Sequence, residues 1–234
     1  MNQCLLSLGN LTEHSLMMST GNMKHIIEAY ETAFRLHGDS PSSVLWPKGR
    51  QEERFLALTR NIPFDSGFSI LDFGCGLSHL KKYIDARYQD VEYVGADSVP
   101  SFINTARNKY PRATFNQVSS PEELGQSYDF VVASGVFNML YVPNREQHAS
   151  IVFKMLGQLF DRANIYLSVN FMSDAVDYQQ DGAYHQNVLE LIDFVISNLS
   201  RRIILDCSYM PYEYTLTIWK DQNILKPENL YERI

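Results

Sequence analysis

Residues Ser69 to Leu80, reading SILDFGCGLSHL, limit the fold more than any other stretch: an apolar run ends in an acid, a glycine-rich turn follows, and an amphipathic segment begins. Ile70, Leu71 and Phe73 around Asp72 read as the carboxyl end of a buried strand. Gly74 and Gly76 accept positive φ and lack Cβ, so a ligand can approach the backbone there. Leu77, Leu80, Tyr83 and Ile84 then share one face of a helix whose first N–H groups open into the same crevice, where a polar or anionic group is held. In open α/β sheets ligands sit at such strand ends. The same glycines also suit a plain strand-to-helix turn, so the residues downstream decide.

Those residues continue the alternation. Strands are predicted at 68–73, 91–96, 113–118 and 128–134, separated by helices at 77–87 and 100–109 and a short turn at Pro121, which gives a βαβαβαβ order. A helix at 146–160, a strand at 164–171, a helix at 188–199 and two strands, 202–206 and 212–219, complete the series. Upstream, Asn22 to Leu36 and Gln51 to Thr59 read as helices, and Pro41, Pro47 and Gly49 punctuate a segment, 38–50, that is either a mobile lid or a connector. The division expected is an N-terminal helical segment (1–62), a core (63–220) and a tail (221–234) with a short helix from Pro227.

Two nucleotide-type cofactors use such a turn, and spacing separates them. A dinucleotide fingerprint needs G-x-G-x-x-G/A, but His79 occupies the third glycine's place and is too large for close helix–strand packing, which disfavours NAD and an oxidoreductase. The pattern D-x-G-x-G-x-S, from Asp72 to Ser78, resembles the first motif of the class I S-adenosylmethionine-dependent methyltransferases, with Ser78 in place of a third glycine. Val91 to Ala96 ends in Asp97 at the spacing that family implies, and Tyr128 to Ser134 is similar to its fourth strand. Gln51-x-x-Arg54-Phe55 resembles a cofactor-covering helix of some bacterial small-molecule members. The resemblance spans about Gly67 to Lys220 and implies an α/β fold: a Rossmann-like, seven-stranded, mainly parallel sheet with an antiparallel last strand and helices on both faces.

It also implies site residues. S-adenosyl-L-methionine would lie along Asp72, Gly74, Cys75 and Gly76, with Asp97 and Ser98 at the ribose and Ser119 at the adenine edge. Phe102 would stack on the nucleoside, Ser134 would contact the cofactor at the end of the fourth strand, with Gly135, Phe137 and Asn138 beside the methyl, and Arg54 would hold the amino-acid carboxylate through a guanidinium fork. Each residue has an ordinary alternative: Asp97 as a helix cap, Phe102 as core, Ser119 as a strand end, and Arg54 paired with Glu52 or Glu53. Trp46 and Phe55 either close over the cofactor or simply pack.

Methyl transfer from a sulfonium asks the protein to align an acceptor, exclude water and, where necessary, remove a proton. Phe137 and Tyr141 are candidates to face the positive sulfur. For the acceptor, His185 is the preferred base, in a polar segment (173–186) expected over the strand ends. His148, Asp174 and Asp177 are further bases, and Asn138 and Glu213 further orienting groups.

Composition sets the outer limits. With 234 residues, 45% apolar and 12% aromatic, the chain can bury a core without staples. A formal charge of −7 argues against nucleic acid as partner, as does Gly135-Val136-Phe137-Asn138 where base-modifying amino-methylases carry N/D-P-P-Y/F. The three cysteines, Cys4, Cys75 and Cys207, share no C-x-x-C spacing, so no metal site or disulfide framework is expected, and a reducing, cytoplasmic setting is. No run is long enough for a membrane span, and no leader is expected, since the first basic residue is Lys24. The reading is a methyltransferase acting on an O or N atom of a small molecule, with a homodimer open; a cofactor-binding scaffold that never turns over is the alternative.

Overall fold

The computed structural model describes residues 13–45, 50–63 and 67–221, with 13–22 as backbone only. Trp46 and the helix expected from Pro227 lie outside them.

Helices α1 (Glu13–His37) and α2 (Gln51–Thr59) precede β1 (Phe68–Phe73), α3 (His79–Asp85), β2 (Val91–Asp97), α4 (Pro100–Lys109), β3 (Thr114–Gln117) and β4 (Tyr128–Ala133). There follow α5 (Arg145–Arg162), β5 (Ala163–Ser173), β6 (His185–Gln186), α6 (Val188–Asn198), β7 (Ile203–Asp206) and β8 (Glu213–Trp219). Local chemistry explains several boundaries. Pro100 occupies the first turn of α4, and the Asn144 and Asn187 side chains accept backbone N–H bonds at the starts of α5 and α6.

The strands form one sheet in the order β3-β2-β1-β4-β5-β8-β7. β1 to β5 run parallel, and β8 lies antiparallel between β5 and β7. The sheet has eight strands rather than the seven predicted, because His185 and Gln186 pair with Met172 and Ser173 on the end of β5. A two-residue strand inside a polar loop carries no periodicity to read.

Alternate residues feed opposite layers, as a sheet covered on both faces requires. Ile70, Phe130 and Val132 pack with Leu58, Leu80 and Ile103, whereas Leu71, Val131 and Leu167 pack with Val152, Leu156 and Leu159 of α5. The chain moves outward from β1 to β3 and returns to β4 on the other side of β1, so the strand order switches between β1 and β4. Such a switch point splays the strand ends into a crevice.

Candidate active site

At that crevice the turn after β1 is held by its own backbone. The N–H groups of Gly74 and Cys75 both donate to the Ala96 carbonyl at the end of β2, at 2.7 and 3.0 Å. Gly74 sits at φ +74° and Gly76 at φ +51°. A Cβ on Gly74 would fall 2.2 Å from Val136 Cγ2, and one on Gly76 would fall 3.0 Å from Val44 Cγ1. Ser78, where the family motif has its third glycine, keeps the left-handed conformation (φ +58°), so the substitution preserves the turn.

Asp97 ties β2 to this turn. Its Oδ2 accepts from Gly76 N–H at 2.8 Å and its Oδ1 from Val99 N–H at 2.9 Å. The cap position of α4 belongs to Val99, so Asp97 is a turn residue rather than the helix cap. Asp72 is buried and accepts a bond from Tyr93 Oη at 2.5 Å; burial pushes its pKa up to about 7, opposed by that bond and assisted by Asp97. Burial raises the Asp97 pKa too, while its backbone N–H partners pull it down.

Two adjoining cavities share Val44, Gly74, Gly76 and Ser134. The first has a polar rim of Asp97, Ser98, Ser119 and Ser134, and an apolar wall including Phe73, Phe102, Val118, Val136, Met139, Tyr141 and Met155. Met23, Ile26 and Tyr30 of α1 roof it. Tyr30 and Phe34 meet Phe102 edge-on at 5.8 and 5.9 Å, and Glu31 accepts from Ser101 N–H at 3.1 Å, which docks α1 on the start of α4. The second cavity is lined by Gln51, Arg54, Phe55, Asp72, Cys75 and His79 among others.

The structure therefore places all ten cofactor-site residues predicted from sequence in the walls of these two adjoining cavities. Cys75 is buried there and its thiol is pushed well up by desolvation, so it is inert. Arg54 pairs with neither Glu52 nor Glu53 but with Glu213 of β8, Nε to Oε2 at 2.6 Å, both side chains being buried.

The three predicted catalytic residues, His185, Asn138 and Glu213, line neither cavity. His185 is buried on β6: its Nδ1 lies 2.7 Å from the Ser173 carbonyl, which can only accept, and its Nε2 accepts from Gln180 N–H at 3.1 Å. Both ring nitrogens thus hold backbone in place. Asn138 accepts from Met172 N–H through its side chain and from Tyr184 N–H through its carbonyl. His148 is buried, receives the Tyr141 N–H at 3.0 Å and has its pKa pushed down to about 4, chiefly by desolvation. Asp174 accepts from Asn187 at 2.6 Å, and Asp177 is exposed. Of the two aromatic candidates Tyr141 lines the cavity, while Phe137 is stacked on Phe171 at 5.6 Å. The α1 roof was missed: Met23, Ile26, Tyr30 and Phe34 form a readable apolar stripe, but its destination is set by tertiary packing.

Residues 71–158, which hold both acids and the glycine turn, match the family model described as a methyltransferase domain. A protein of Mycobacterium tuberculosis that is a methyltransferase by name is 27% identical over 156 residues, which cover 65% of this chain and 93% of the relative. Together with the fold, these matches support a class I S-adenosylmethionine-dependent methyltransferase. Solved methyltransferases share the fold at low identity. A magnesium protoporphyrin IX methyltransferase of Synechocystis with bound cofactor superposes with a TM-score of 0.50 at 19% identity, over 73% of this chain and 76% of that one. An N-methyltransferase of Bradyrhizobium japonicum holding S-adenosyl-L-homocysteine gives 0.57 at 13% identity, over 82% and 97%. The cofactor of this methyltransferase is S-adenosyl-L-methionine, and the crevice fits it: glycines that a Cβ would obstruct and two carboxylates suited to a cationic ligand. Among the described residues no helix is long and apolar enough to cross a membrane, and no group of three or more His, Cys, Asp or Glu is placed to hold a metal ion.

Proposed function

We propose that this methyltransferase acts on an O or N atom of a small molecule, and the observation that carries the reading is the roofed cavity. Ile26 and Tyr30 of α1 cover the strand ends, so an acceptor entering there is enclosed rather than spread over a surface. The acidic balance of −7 further disfavours a polyanionic partner.

In this reading Asp97 takes the ribose hydroxyls with the acceptor capacity its two backbone bonds leave, and Ser98, Phe102 and Ser119 border the base. Arg54 takes the amino-acid carboxylate and Asp72 faces the amino group, since both line the second cavity. When bound, the cofactor supplies an electrophilic methyl group on a positively charged sulfur. Ser134 and the Gly135 turn set the border between the two cavities, and Tyr141 offers a ring face to positive charge. The first cavity is lined by no His, Lys or Arg among the described residues, and its one carboxylate, Asp97, is engaged. The residues therefore work by orientation and exclusion of water, a contribution of up to about 7–11 kcal/mol for well-aligned reactants. An acceptor that reaches the site with its lone pair available, such as a neutral amine or a readily ionised hydroxyl, suits such a wall.

Titration calorimetry with S-adenosylmethionine and S-adenosylhomocysteine, on the parent and on Asp97→Ala, with NAD as control, tests the reading. Micromolar binding to the parent, lost in the variant, supports it and opens an acceptor screen of small amines and phenols. Parent protein that binds neither ligand overturns it.

A further inference from the structure

The sequence offered Glu213 as a group that orients the acceptor. The structure places it against Arg54. Glu213 begins β8, opposite Met172 in the antiparallel register with β5. Its carboxylate meets the Arg54 guanidinium side-on: Nε donates to Oε2 at 2.6 Å and Nη2 to Oε1 at 2.5 Å, across 159 positions of sequence. Nη2 also approaches Met210 Sδ at 3.9 Å. The same Oε2 accepts from Asn170 Nδ2 at 3.4 Å, and Asn170 Oδ1 accepts the Gly135 N–H at 2.7 Å. Gly135 (φ +74°) opens the turn after β4 and lines the first cavity, while Arg54 lines the second.

A chain of bonds thus runs from one cavity to the other through two side chains that line neither. Fixing a guanidinium edge this way orients its remaining donors, since the group is planar and its N–H directions are rigid. A buried ion pair is a poor means of stabilising a fold, because apolar residues of equal volume serve as well or better. A function for the pair follows more naturally from where it stands.

We propose that Glu213 is a positioning residue for the amino-acid end of the cofactor: it holds Arg54 at the second cavity and, through Asn170, couples that clamp to the Gly135 turn at the first. The proposal rests on the reading of Arg54 as the carboxylate's partner.

The probes are S-adenosylhomocysteine and 5′-methylthioadenosine, which share the nucleoside and the sulfur but differ in that only the first carries the amino-acid group. Affinities for both are measured by calorimetry on the parent, Arg54→Lys and Glu213→Gln. The parent should prefer S-adenosylhomocysteine; both variants should lose at least tenfold for it and less than twofold for methylthioadenosine. A role confined to folding would weaken both ligands alike, and that result overturns the proposal. If Arg54→Lys loses the preference and Glu213→Gln keeps it, Arg54 reads the carboxylate unaided and the proposal fails alone. If Arg54→Lys keeps the preference, the Arg54 reading fails and the proposal with it, while S-adenosylhomocysteine binding itself still stands. Should Glu213→Gln not fold, Glu213→Asp, with the charge kept and the reach shortened, carries the same comparison, and partial recovery of the preference in it relative to Arg54→Lys is the supporting result.

Discussion

Replacing Asp72 by asparagine should make the ligand-free protein more stable above neutral pH while weakening its hold on the cofactor. Burial raises the Asp72 pKa from 3.8 to about 7, with Tyr93 opposing and Asp97 adding to the effect. Because the folded value lies above the unfolded one, the protonated carboxyl stabilises the fold fully below pH 3.8, and that stability is lost as pH rises through about 7. The slope is about −1.4 kcal/mol per pH unit across the window, and a span of roughly three units sums to a ceiling on the order of 4 kcal/mol. His148 has the opposite sign: depressed to about 4, it makes stability rise with pH until the unfolded imidazole has lost its proton. That contribution is common to parent and variant, so it cancels in their difference. Asparagine keeps an oxygen for the Tyr93 hydroxyl but buries an amide, which offsets about 1–3 kcal/mol of the gain. Urea unfolding at half-unit steps from pH 4.5 to 8.5 gives the assay. The variant-minus-parent difference should climb steadily to about pH 7 and then level, with S-adenosylhomocysteine affinity lower throughout. A difference that stays flat with pH would refute the argument, since Asp72 would then be ionised in the fold at ordinary cost.

Gly74→Ala combines a left-handed backbone with a Cβ 2.2 Å from Val136 Cγ2, and should cost about 2–4 kcal/mol in denaturant unfolding together with most cofactor affinity. Gly95→Ala places a Cβ 2.6 Å from the Phe115 ring away from the roof, and should cost about 1–3 kcal/mol in stability by the same measurement. Tyr30→Ala removes the edge contact on Phe102 from the roof; stopped-flow dissociation of S-adenosylhomocysteine should quicken by roughly 2- to 10-fold, the equivalent of about 0.5–1.5 kcal/mol. His185→Ala deletes two buried hydrogen bonds and should lower stability by about 2–4 kcal/mol while leaving the turnover number of folded protein within about twofold; loss of turnover at intact stability would instead make it the base.

The sequence was most legible where one local pattern decides one element. β1, α2 and α4 begin and end where apolar spacing, Pro100 and the flanking polar residues place them, and the Asp72-to-Ser78 turn has the conformation its glycines imply. Asp97 was placed by its distance along the chain from that turn, and the Gly76 N–H bond shows why the distance matters. What escaped depends on how loops and helices fold back on their neighbours. His185 looked like a loop histidine because nothing nearby announces that Ser173 and Gln180 will enclose it. Arg54 had two glutamates within two residues and chose one on β8, because the buried helix face turns it toward the sheet and away from solvent. The roof of the cavity belongs to α1, whose apolar stripe gives no address until Phe102 of α4 is in place.

The position of β8 bears on when the protein becomes competent. β8 is the last strand in the described chain, yet it is threaded between β5 and β7 and supplies the partner of Arg54. During synthesis the glycine turn and Asp97 emerge before β8, while the Arg54–Glu213 contact must await a residue 159 positions after Arg54. Contacts that bridge such a separation form late and set the pace of folding. A product that stops short of β8 would carry the glycine turn and Asp97 but lack Glu213, the partner that Arg54 has here.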